Sequence, residues 1–229
     1  SVARNNLAAT TVGNYALFGG GHGFSSTSTY YSTVDAYNSS LTRSTPTTLN
    51  QEREDLAATT VGSYALFGGG YGSTPIYCST VDAYNSSLTR STPTALSVAR
   101  DNLAATTVGD YALFGGGYGF GSTYCSTVDA YNSSLTRSIP TALNQEREDL
   151  AATTVGNYAL FGGGSSYSST FTYYSTVDAY SSVVEATVYP GSKYKFQNMQ
   201  SESTSNAYQI LNIPVPATGY VKIKNTTLS

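Results

Sequence analysis

The chain has 229 residues, a net charge of −3 and only 11% charged residues, against 22 glycines and 21 tyrosines. That length can bury one β domain's core, and so aromatic a chain is not disordered. No basic run invites nucleic acid, and no apolar stretch approaches the roughly 18 residues of a membrane span.

The chain opens at Ser1 in what reads as the middle of an inter-strand linker. A processed chain, or a piece of a longer one, is the expectation, and no leader is visible. From Leu7 onward one sentence is written four times, LAATTVGNYALFGGG, a variable stretch, then STVDAY. The opening leucines are Leu7, Leu56, Leu103 and Leu150, giving periods of 49, 47 and 47 residues. Such a period with strand-like content is the mark of a radial or solenoidal β array.

Within a copy, Leu7 to Val12 predicts a first strand and Tyr15 to Phe18 a second. Gly13-Asn14 between them fits a type II′ hairpin, which needs positive φ at its first residue. Gly19-Gly20-Gly21 ends the second strand. Ser32 to Tyr37 predicts a third strand with alternating faces, and Asn38-Ser39-Ser40 a turn. Leu41 to Thr45, stopped by Pro46, predicts a weaker outer strand. Four antiparallel strands per repeat make one propeller blade, and nothing reads as helix.

Ala16-Leu17-Phe18-Gly19-Gly20 followed by Val34-Asp35-Ala36-Tyr37 resembles the kelch repeat. Ala65 to Gly69 with Tyr84, Ala112 to Gly116 with Tyr131, and Ala159 to Gly163 with Tyr180 match in the other copies. The resemblance covers residues 1–189 and implies an all-β, kelch-like β-propeller. The family usually places a tryptophan shortly after that tyrosine. This chain has none, so a lighter core and a loosely held fourth strand are expected.

After Tyr180 the repeated words vanish. Residues 1–180 carry 7 Arg against 12 acids, whereas 181–229 carry 4 Lys against 2 Glu. Val183 to Tyr189 suits the outer strand of blade four. Lys193–Met199, Tyr208–Val215 and Tyr220–Asn225 then alternate in strand fashion. Residues 190–229 form either a divergent fifth, closing blade or a separate β module that docks on a neighbour or a second chain. The module is preferred, since Val183 to Tyr189 is needed upstream.

The copies differ mainly in the loops after the second strand and in the linkers. Alternating strand direction puts both sets at one end of the blades. Their aromatic residues are Phe24, Tyr30, Tyr71, Tyr77, Tyr118, Phe120, Tyr124, Tyr167, Phe171 and Tyr173. Tyr among Ser and Gly is the chemistry of an antibody-like paratope, and aromatic rings also stack on sugar faces. Binding of a glycan or protein receptor through this end is expected, with passive loop drift as the alternative. Arg4, Arg53, Arg100 and Arg147 precede each first strand. They could receive ligand carboxylates or tie the linkers to carbonyls and nearby acids. Asp35, Asp82, Asp129 and Asp178 recur in the third strand, where local hydrogen bonding is favoured over an axial cation.

Cys78 and Cys125 fall where the other copies have Tyr31 and Tyr174, so partly buried, free thiols are expected. A bridge would need Cα atoms within about 7 Å. His22 is the only histidine; it cannot supply a catalytic triad or a histidine-rich metal site. No cofactor or metal is expected. The leading expectation is therefore a non-enzymatic adhesin domain within an extracellular, cell-surface or virion assembly such as a phage tail fibre. A structural spacer or decoration domain is the alternative. An enzyme like the galactose-oxidase or sialate-epimerase propellers ranks behind both. Neighbouring subunits, and a homo-oligomer through 190–229, are the expected partners.

Overall fold

The computed structural model describes residues 2–24, 28–74 and 76–181, together with the backbone of two strands at 185–188 and 221–224. The described residues are all β, with no helix among them. Two compact units divide the chain, Ser1–Ser182 and Val183–Thr227.

In the first unit each repeat folds as one antiparallel sheet. In repeat one the strands are Ala8–Val12, Tyr15–Gly19, Val34–Asn38 and Arg43–Ser44, paired in chain order. Ala8 lies opposite Gly19, and Phe18 opposite Asp35. The same register recurs in repeats two and three. The hairpin turns behave as the sequence demands: Gly13 sits at φ 52° and its equivalents at 53–54°. Asn14, Ser63, Asp110 and Asn157 do not follow into positive φ, which selects type II′ over type I′.

The sheets pack face upon face in succession. Ala8, Val12, Leu17 and Val34 of sheet one meet Ala65, Phe67 and Tyr84 of sheet two, with linker residue Leu49 sealed between. Repeats two and three, then three and four, make the same contact. Its centre is an aromatic ring on a glycine. A Cβ on Gly19 would stand 2.8 Å from Phe67, and one on Gly68 or Gly115 would stand 2.9 Å from Phe114 or Phe161. Each phenylalanine meets the tyrosine of its own third strand edge-on, at 5.8–6.0 Å between centroids. That geometry suits the ring quadrupoles. The tyrosine hydroxyl then donates to the preceding linker: Tyr84 to the Thr47 carbonyl, Tyr131 to Thr94 and Tyr180 to Thr141. First strands of successive sheets also meet through threonines, Thr10 with Thr60, Thr59 with Thr107 and Thr106 with Thr154.

Three expectations need correction. The fourth strand is only two residues long, because Leu41 takes a left-handed φ of 60°. Asn38 enforces this, its Oδ1 accepting the N–H groups of Ser40 and Thr42. Sheet four has three strands among the described residues, without the outer strand expected from Val183 to Tyr189. Its described part, Glu185–Val188, pairs with Val221–Lys224 instead, and this antiparallel pair belongs to the second unit. Finally, three of the variable loops are short ribbons: His22–Phe24 with Ser28–Tyr30, Tyr118–Gly119 with Thr123–Tyr124, and Ser165–Tyr167 with Phe171–Tyr173. The runs at 193–199 and 208–215 lie outside the described residues, as does most of the oligomer contact assigned to 190–229.

Candidate functional site

The variable segment is a ribbon in three repeats and a loop bridged at Tyr71 and Tyr77 in repeat two. In every repeat it leaves the second strand through three glycines and returns beside its linker. The third glycine makes this approach possible. Gly70 sits at φ 114°, and a Cβ there would stand 2.7 Å from the Glu54 carbonyl oxygen. Glu54 and Tyr71 consequently exchange both backbone hydrogen bonds, at 2.8 Å each. Asn5 pairs with His22, Asp101 with Tyr118 and Glu148 with Ser165 in the same way. Residues directly opposite on antiparallel strands project to the same side. A polar linker side chain therefore stands beside the first ribbon residue in every repeat.

The tyrosines form a row. His22 meets Tyr30 at 5.4 Å between centroids, Tyr30 meets Tyr71 at 5.9 Å, and Tyr71 meets Tyr77 at 5.5 Å. The row continues through Tyr77 and Tyr118 at 5.9 Å to Tyr124 at 5.0 Å. All five tyrosines are partly exposed, and together they cross three repeats. Beyond Tyr124, Tyr167, Phe171 and Tyr173 form a second, more exposed cluster. Phe24 and Phe120 are well exposed at ribbon ends. The expected aromatic residues thus gather beside the linkers, with five in one row.

The arginines do not share that surface. Arg53, Arg100 and Arg147 are fully buried, and the Arg4 side chain is 3% exposed. Each guanidinium spans its own sheet from the linker. Arg53 Nη2 donates to the Phe67 carbonyl at 3.2 Å and to Asp82 Oδ2 at 2.8 Å. Arg4 does the same with Asp35, Arg100 with Asp129 and Arg147 with Asp178. The other oxygen of Asp82 accepts the Asn50 N–H, and those of Asp129 and Asp178 accept the N–H groups of Ser97 and Asn144. The arginines and aspartates, legible separately, are one internal clamp. A ligand carboxylate has no access to it, which corrects the reading of Arg4, Arg53, Arg100 and Arg147 as ligand contacts.

What lies beside the tyrosines is acidic. Asp55, Asn102 and Asp149 follow Asn6 in a series in which each N–H donates to the previous carbonyl, at 3.0–3.1 Å. Asn6 donates to Glu54 and Asn102 to Glu148, so amides alternate with acids. Asp101 is 6% exposed and its Oδ1 has no partner among the described residues. Burial, then the charges of Asp55 and Glu148, push its carboxyl up to about 7. Burial and Glu54 push Asp55 up to about 6. The sequence offered these acids as partners of the linker arginines, which pair instead with the third-strand aspartates.

Both acids bind protons more tightly folded than unfolded. Stability therefore falls as pH rises from about 4 to about 8, then levels off once both are ionised. Asp101→Asn is expected to raise the melting temperature at about pH 8, where the wild-type carboxylate is charged, and to flatten the slope between about pH 4 and 8. Thermal unfolding followed across that range by circular dichroism checks it. A variant with the wild-type slope would show that Asp101 does not carry the effect.

His22 Nε2 is 2.6 Å from Ser28 Oγ in its own ribbon. Cys78 and Cys125 are buried and form no disulfide. Among the described residues, no three histidine, cysteine or carboxylate groups converge in a metal-binding arrangement. No family model matches the chain, and no curated protein matches it.

Proposed function

We propose that the four sheets are blades of a kelch-like β-propeller, and that this unit is a non-enzymatic recognition module for a glycan or protein receptor. Successive face-to-face packing, with first strands side by side, supports the propeller. The observation that carries the recognition reading is the unbroken tyrosine row from Tyr30 to Tyr124 across three repeats. Tyrosine offers a large amphipathic surface at low entropy cost. Partial burial raises the affinity of Tyr30 and Tyr77 for their protons, so these phenols remain donors.

A neutral glycan fits this surface best. Its C–H faces pack on the rings while its hydroxyls donate to Glu54 and Glu148 beside them. Acidic sugars are disfavoured, since the linker cations Arg4, Arg53, Arg100 and Arg147 are internal while Glu54 and Glu148 stand beside the ribbons. A domain of this kind suits a surface or virion assembly such as a phage tail fibre, an argument from near-identical tandem copies and by analogy alone. A purely structural spacer is the second reading. The rings also pack on one another, which would serve cohesion without any ligand.

The test is a glycan array probed with wild type, Tyr77→Ala and Tyr124→Ala. Each substitution is expected to weaken binding of neutral glycans roughly tenfold, about 1.4 kcal/mol, with melting unchanged. Wild type that captures no glycan, or variants that bind as well as wild type, would sink the glycan assignment.

A further inference from the structure

The sheet-on-sheet contact is made three times among the described residues, and each of its two halves is exposed there once. One half is a socket of two valines and a glycine. Val12, Val61 and Val108 are 2%, 1% and 1% exposed in repeats one to three, whereas Val155 of repeat four is 59% exposed. Val34, Val81 and Val128 are fully buried, while Val177 is 56% exposed. Gly19, Gly68 and Gly115 each receive a phenylalanine ring, but among the described residues a Cβ on Gly162 would meet only Val177 of its own sheet, at 3.3 Å. The other half is a plug. Phe67, Phe114 and Phe161 are fully buried, and Phe18 of repeat one is 37% exposed.

We propose that Phe18 of one chain seats on Gly162 of a second copy, so that chains associate head to tail, sheet one upon sheet four. The occupant is chosen by identity. Tyr-Ala-Leu-Phe-Gly and Ala-Ala-Thr-Thr-Val are the same in all four repeats. The free plug is therefore the group the socket already accepts three times. Arg90 and Arg137 reach the carbonyls of Thr48 and Ala95 in the preceding repeat, besides pairing with Asp82 and Asp129 of their own sheets as Arg43 does with Asp35. The contact extends an interface the molecule already builds. It is heterologous, using different patches on the two partners, so it closes a ring if the rotation divides a turn and otherwise propagates.

Sedimentation velocity of the full chain across the micromolar range tests this. Wild type is expected as multiples of 24.1 kDa. Phe18→Ala and, separately, Gly162→Ala are each expected as folded monomers, because one side chain is exposed and the other position is open with no positive φ. Mixing the two variants restores a dimer, since the first keeps its socket and the second its plug. Val177→Asp, at an exposed position, serves as an alternative socket variant with the same expected result. A monomeric wild type, variants that still assemble, or a mixture that stays monomeric overturns the proposal.

Discussion

Asp82→Ala is expected to lower stability by about 3–5 kcal/mol, the cost of leaving a buried cation without its partner. For a chain of this size that amounts to roughly 10 °C in melting temperature. Arg53 and Asp82 are both 0% exposed, and their contact is 2.8 Å. Burial already pushes Arg53 down and Asp82 up from their ordinary values, with their mutual attraction opposing both shifts. Removing the carboxylate leaves the burial cost and deletes the attraction. It also orphans the Asn50 N–H, which Asp82 Oδ1 accepts at 3.0 Å. Asp82→Asn separates the two losses, since its amide oxygen can still accept from Asn50 while the ion pair is gone. Replacing both partners, as in Arg53→Met with Asp82→Leu, is expected to recover most of the loss. Urea unfolding of the single and double variants measures this. A single variant as stable as wild type would mean the clamp contributes little.

This clamp also marks where reading the chain by eye stops. Both fourfold patterns, Arg4 to Arg147 and Asp35 to Asp178, are plain in the text. Their union is not, because pair partners lie 29–31 residues apart and spacing does not say which faces meet. The strands and hairpin turns were legible because alternation and a glycine at positive φ are local properties. The ribbons were hidden, since His22 to Tyr30 is rich in glycine and serine and its pairing is fixed by contact with the Asn5 linker. The segment after Tyr180 misled for a related reason. Val183 to Tyr189 has strand composition, but composition does not select a partner, and Glu185–Val188 takes Val221–Lys224. The aromatic row lay between these extremes. Strand direction placed the loops beside the linkers, whereas the ring-to-ring order from Tyr30 to Tyr124 needed coordinates.

A division of labour follows from these particulars. Residues that meet the next sheet, such as Phe67 and Gly19, are the same in every copy, because a change would have to be matched on the facing sheet. Ribbon residues face outward and are free of that constraint. Tyr71 and Tyr118 correspond to His22 in repeat one and Ser165 in repeat four. The frame thus tolerates chemical variation in the ribbons without repacking.

The second large effect concerns that frame at its centre. Phe114→Ala is expected to cost about 3–5 kcal/mol, since a fully buried ring is lost from the contact between sheets two and three. Gly68→Ala attacks the same contact from the other side. Its new methyl would stand 2.9 Å from the edge of Phe114, a ring held against Tyr131 and unable to withdraw, so overpacking of about 1–3 kcal/mol is expected. Combining Gly68→Ala with Phe114→Leu should cost less than the sum of the two single changes, because the shorter side chain vacates the space the methyl needs. Gly162→Ala is the internal control: the residue is the same in sequence context but has no ring upon it among the described residues. At dilutions where the chain is monomeric its effect is expected within about 0.5 kcal/mol of zero. Equal losses at Gly68 and Gly162 would mean that glycine serves the strand backbone itself. A loss confined to Gly68 assigns it to the ring that packs there.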